Sequence, residues 1–139
     1  MKKPSEYIKI GCELRPFQVF GTMYQHSHSS CAAGAFIDGY SGERRTDYDP
    51  LGIIWNQIVW QFQFRSRIVA CPECGPDFPN FPDQLVSHLN DHHKWTRERI
   101  GDWLDAQMPQ DPVGSNKIQL DATASYSMSE EEDLELVDA

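Results

Sequence analysis

The feature that most constrains this chain is Cys71-Pro72-Glu73-Cys74 followed by His88 and His92, a C-x2-C-x13-H-x3-H spacing. Two cysteines separated by two residues can set both sulfurs on one ion. Two histidines four apart on a helix lie about 40° from each other around its axis, so both imidazoles can face that ion. The spacing therefore predicts one structural Zn2+ held by Cys71, Cys74, His88 and His92. His93 is an alternative to His92, since H-x4-H spacing is also used, but on a regular helix it points roughly 140° from His88. Four protein ligands close the coordination sphere and leave no position for an activated water, which argues against catalytic zinc.

Neighbouring residues fit the same site. Gly75 follows the second cysteine, where the chain must turn sharply and a backbone N–H can approach a thiolate. Phe78 and Leu85 are placed to pack beside the metal, and Trp95, just past the histidines, to cover it. Over residues 71–92 this arrangement resembles the Cys2His2 zinc-finger pattern, Cys-x2-Cys-x3-Phe-x5-Leu-x2-His-x3-His. It departs by one residue, six rather than five separating Phe78 from Leu85. The extra residue, with Pro76, Pro79 and Pro82, suggests a knuckle plus helix in place of a regular ββα finger. In that family bases are read from the start of the helix; the comparable positions here are Phe81, Gln84 and Ser87. None is basic, and Asp83 stands among them, so nucleic acid is not the expected partner.

Charge supports that exclusion. The net charge is −9, but residues 109–139 carry eight acids and one base, a net of −7, which leaves residues 1–108 at −2. Neither part is a basic surface for phosphate. No apolar run approaches the roughly 20 residues that span a bilayer, and no apolar stretch follows Met1-Lys2-Lys3-Pro4-Ser5-Glu6, so neither a membrane anchor nor a secretion signal is read. Cys12 and Cys31 are then expected as reduced thiols in a cell interior.

The expected fold class is α+β. It is a small single zinc-stabilised domain over residues 1–108, with a short strand, a zinc knuckle and a C-terminal helix pair within 68–107. A linker and acidic tail follow over 109–139. Tyr7–Ile10 and Phe17–Phe20 read as short strands or extended segments. Ser29 or Ser30 is expected to cap a small-residue helix from Cys31 to Ile37, ended by Gly39 and Ser41-Gly42. Leu51, Ile54, Trp55, Ile58 and Val59 form a helical stripe. Phe62, Phe64, Ile68 and Ala70 alternate with Gln63, Arg65, Arg67 and Val69, as a strand leading into Cys71 would. Helices are predicted over 82–93 and, capped by Thr96, over 96–107, with Pro109 as the stop. Trp60, Trp95 and Trp103 read as core or interface anchors.

Other chemistry is sparse. His26-Ser27-His28 with Cys31 reads as a polar loop before a helix, and Cys31 as a buried structural thiol. No nucleophile elbow, phosphate loop, dinucleotide fingerprint or H-E-x-x-H is present, so no enzymatic activity is expected. In the tail, Leu134-Glu135-Leu136-Val137 is a small apolar alternation among acids. Leu134, Leu136 and Val137 are candidates for docking a protein partner.

The stretch from Ser87 to Leu104 resembles a segment of small uncharacterised phage and prophage proteins. Those proteins pair it with an upstream Cys-Pro-x-Cys and with a Ser-Cys-Ala-x-Gly-Ala stretch, matched here by Ser30-Cys31-Ala32-Ala33-Gly34-Ala35. The resemblance implies a phage-type origin and supplies no activity. The expectation is a non-enzymatic interaction protein of virion assembly or an accessory virion component, located in the host cell interior or the virion. A regulator binding host transcription or defence machinery or nucleic acid is the alternative.

Overall fold

The computed structural model describes residues 1–45 and 49–108. The linker and acidic tail, with Leu134, Leu136 and Val137, lie outside the described residues. Five helices and four short strands make a mixed α+β fold among the described residues.

The chain opens with a helix, α1 (Pro4–Leu14), and not with the strand expected at Tyr7–Ile10. Pro4 sits in its first turn, where a missing N–H costs nothing, and the Glu6 carboxylate accepts the Lys3 backbone N–H at 2.8 Å. Pro4, Ile8 and Gly11 then fall on one buried stripe. Phe17–Gln18 is extended as expected (β1) and pairs in parallel with β2 (Ser29–Ser30).

Helix α2 (Ala32–Ser41) is buried from Ala32 to Gly39 and is capped by Cys31, whose Sγ accepts the Gly34 N–H at 3.4 Å. Ser29 and Ser30 belong to β2 and are one or two residues too early to cap. The helix runs through Gly39 and ends at Gly42, whose φ of 81° supplies a left-handed cap. Gly39 has a different task. A Cβ there would stand 1.7 Å from the Tyr7 carbonyl oxygen, and one at Gly11 would stand 1.8 Å from that of Ala35. Helices α1 and α2 thus meet backbone to backbone.

Helix α3 (Asp49–Gln61) contains the predicted stripe. The strand expected from Phe62 starts later, as β3 (Val69–Cys71). The Phe62/Phe64 alternation belongs to a helix-ending turn. Gln63 is left-handed at φ 57°, and the Phe64 N–H reaches the Val59 carbonyl at 3.1 Å. Both rings enter the core, stacked on each other at 5.8 Å and edge-on to Phe36.

β3 pairs antiparallel with β4 (Gly75–Asn80), with Val69 opposite Asn80, Ala70 opposite Pro79 and an irregularity before Cys71 opposite Gly75. Helix α4 (Pro82–Asp91) follows at once, and α5 (Arg97–Ala106) is capped by the Thr96 hydroxyl, which accepts the Arg99 N–H at 3.1 Å. A hairpin followed by a helix is ββα in order, but the register breaks between Ala70 and Cys71, so the ribbon is not that of a regular finger. Pro76 and Pro79 sit within a two-stranded ribbon, where a strand needs donors on one edge only, and Pro82 opens α4.

The core gathers Ile8, Phe36, Ile37, Ile58, Leu85, Leu89, Ile100 and Leu104 around the Phe62/Phe64 pair. Polar groups buried within it are bonded. Arg15 Nε pairs with Asp38 at 2.7 Å, and Asp38 also accepts from the Tyr24 hydroxyl and the Arg45 N–H. Asn90 of α4 accepts from Gln18 Nε2 at 2.7 Å and from the Ala32 N–H at 3.1 Å, and donates to the Val19 carbonyl. These bonds fix α4, and the hairpin before it, against the N-terminal half.

Candidate metal centre

Cys71 ends β3, fully buried, and the turn after it is tight enough for the Cys74 N–H to donate to Cys71 Sγ at 3.3 Å. Gly75, at φ 81°, lets the chain reverse into β4. His88 lies on α4 and His93 two residues past its end. One donor atom from each of Cys71, Cys74, His88 and His93 lies within 4.8 Å of every other.

The spacings suit one small tetrahedral ion. Bonds of roughly 2.3 Å to sulfur and 2.0–2.1 Å to nitrogen put neighbouring donors about 3.6 Å (S···N) and 3.4 Å (N···N) apart. Here Cys71 Sγ is 3.6 Å from His93 Nε2, and Cys74 Sγ is 3.5 Å from His88 Nε2 and 3.3 Å from His93 Nε2. The two Nε2 atoms are 3.1 Å apart.

The fourth member of this group is His93, where regular helix geometry had selected His92. Helix α4 loosens at its last turn. The His93 N–H bonds back five residues to the His88 carbonyl at 3.4 Å, Trp95 bonds back to Leu89, and Lys94 is left-handed at φ 58°. The wider winding cuts the angle between positions 88 and 93 and brings His93 over His88. His92 is exposed, its ring stacked on that of His88 at 5.1 Å.

The surroundings keep the donors in place. Phe78 stacks on His88 with ring centroids 4.2 Å apart, and Leu85 is fully buried. Desolvation, with His93 and His92 close by, pulls His88 below its ordinary pKa, which favours the neutral imidazole a metal requires. Desolvation and then the adjacent Cys71 push the Cys74 thiol up, so a cation bound there must displace a proton.

Glu73, to which residue spacing assigns no role, has a defined place. Its carboxylate accepts the Trp95 Nε1–H at 2.8 Å and lies 3.7 Å from Arg99, whose guanidinium covers the Trp95 ring at 3.7 Å. The only hint in the sequence is a carboxylate set between the two cysteines.

The remaining candidates lie elsewhere. His26 and His28 join no metal-competent group among the described residues. Burial pushes the Cys31 thiol up, as befits a capping group and not a nucleophile. At the start of α4, Asp83 is buried and bound bidentately by Arg65, whose guanidinium also covers Phe81. Trp103 is half-buried against the core, whereas Trp60 is 82% exposed. No described helix is long and apolar enough to cross a membrane. No protein-family model, curated protein or solved structure matches the chain.

Proposed function

We propose that this chain is a non-enzymatic, zinc-stabilised protein-interaction protein. The observation that carries the reading is the closed set of Cys71, Cys74, His88 and His93, at spacings suited to one tetrahedral ion. Two thiolates and two imidazoles are a donor set that favours zinc over the harder divalent cations. All four positions go to protein, so the ion ties the β3–β4 hairpin to the end of α4 and activates no water. Glu73 and Trp95 extend that tie to α5.

The resemblance to small phage and prophage proteins supports placing the chain in virion assembly, or in the particle as an accessory component, with other virion subunits as partners. The work of the zinc is then to hold a surface in shape for them.

Two measurements test this. Protein purified without a polyhistidine tag should retain one zinc per chain, and a strong chelator should abolish the cooperative melt of residues 68–107, because binding and folding share one free energy. Metal-free protein with an unchanged melt rejects the structural ion. Recovery at fixed stoichiometry with purified particles supports the assembly role, and absence from them removes it.

A further inference from the structure

From Ile53 to Gln61 the outward face of α3 bears no charge. Ile53, Asn56, Gln57, Trp60 and Gln61 recur at helical spacing on one exposed face, with Ile53 63% and Trp60 82% exposed. With Tyr40 they line an open groove. No Asp, Glu, Lys or Arg occurs from Leu51 to Phe64, in a chain of which 24% is charged. Among the described residues, the carboxamides of Asn56, Gln57 and Gln61 have no hydrogen-bond partner. We propose that a second copy of this chain docks on this face, the two α3 helices lying antiparallel about a twofold axis. The inference rests on the reading of the chain as an interaction protein, and it names one partner.

Charge selects the occupant. A basic or acidic partner finds no counter-charge on this stripe, and a charged stripe would repel its own copy. Asn and Gln both donate and accept, so a row of them is complementary to itself. Two chains of net charge −9 repel wherever their charged surfaces approach; the α3 face is where they can touch without opposing like charges. Isologous pairing also uses the two apolar residues. Ile53 and Trp60 are two turns apart, about 10.5 Å along the axis. An antiparallel neighbour therefore sets Trp60 of one copy across Ile53 of the other, with the carboxamides between them. One helix face offers less than the roughly 800 Å² per partner of a stable complex, so the dimer is reversible, with a dissociation constant in the micromolar range or weaker.

Sedimentation equilibrium of the full-length, metal-loaded protein tests the proposal over about two decades of concentration up to roughly 0.5 mM. The expected result is a reversible monomer–dimer equilibrium that strengthens with added salt, since salt screens only the repulsion between the bodies. W60E should weaken the dimer at least about tenfold with metal content and melting temperature unchanged, because Trp60 supports nothing within the chain. K9E, on exposed α1 and away from this face, should leave the dimer constant within about twofold once salt screens the repulsion between the bodies. The double variant I53K/W60E places opposite charges across the twofold axis and should regain part of the loss. A monomer at every concentration, a dimer indifferent to W60E, or one that weakens with salt overturns the proposal. A monomer still recovered with particles would remove this inference and leave the interaction reading standing.

Discussion

Trp95 donates its indole N–H to Glu73 at 2.8 Å, and this bond fastens the residue between the two cysteines to the segment that opens α5. The bond is partly buried and is backed by Arg99, which lies over the indole ring. It acts on the metal site from outside the donor set by limiting how far the Cys71–Cys74 turn can move. Groups that orient ligands in this way typically contribute about tenfold or more in metal affinity. Glu73→Ala should therefore weaken zinc binding about tenfold and leave the stoichiometry at one. Competition against a chromophoric chelator measures it, and an affinity equal to that of the parent protein would count against any role for Glu73 in the site.

His93 and His92 are neighbours with opposite expectations. His93 stands 3.3 Å from Cys74 Sγ, and His92 lies outside the four-donor group. His93→Ala should lower zinc affinity by about a hundredfold or more, since it opens the coordination sphere. His92→Ala should change it less than about threefold. Cobalt substitution separates the two cases by a direct signature: the intense visible bands of a tetrahedral thiolate site persist in H92A and shift or fade in H93A. The reverse pattern would return the fourth position to His92.

That pair also marks how far residue spacing alone carries. Both cysteines and His88 follow from chemistry that is local in the chain. The choice between His92 and His93 depends on how α4 unwinds at Lys94, which no regular-helix rule anticipates. The role of Glu73 is hidden for another reason: its partner is 22 residues away, and the bond exists only once Trp95 is in place. The helices around Leu51–Val59, Pro82–His93 and Thr96–Gln107 are legible from an apolar stripe in the first, Pro82 at the start of the second and the Thr96 cap of the third. At Tyr7–Ile10 a short apolar cluster suggested a strand, while the deciding signals, Pro4 and Glu6, sat in the preceding turn. Phe62 and Phe64 alternate as a strand would, yet their spacing serves a left-handed turn at Gln63. The candidate docking residues Leu134, Leu136 and Val137 lie outside the described residues.

Two glycines in helices should respond to the same substitution with opposite sign. Gly39 of α2 has the Tyr7 carbonyl where a Cβ would go, at 1.7 Å, and a backbone atom cannot step aside as a side chain can. Gly39→Ala should force α1 and α2 apart and cost about 3 kcal/mol. Gly52 of α3 has nothing within 4 Å. Gly52→Ala should add roughly 0.5–1 kcal/mol by lowering the entropy of the unfolded chain. Urea denaturation of both variants measures the difference; equal effects would mean that the α1–α2 contact is looser than the structure has it.

The last prediction concerns alkaline pH. Burial against α5 pushes the Cys12 thiol from 9.0 up to about 12, with Glu98 and Glu13 adding to the rise and Arg97 opposing it. The folded chain therefore keeps this proton to about pH 12, while the unfolded chain releases it near pH 9. Below that value the group does not alter the slope of stability with pH. Above it the unfolded state binds fewer protons than the folded one, and stability falls steadily as pH rises toward 12. Tyr24 and Cys31, both pushed upward first by burial, act in the same direction. Cys12→Ala removes one proton from this linkage, so its stability should fall less steeply with pH between 9 and about 11 than that of the parent protein. Urea midpoints across that interval, at fixed zinc, are the measurement, and parallel slopes for the two proteins would show that the Cys12 thiol titrates alike in the folded and unfolded chains.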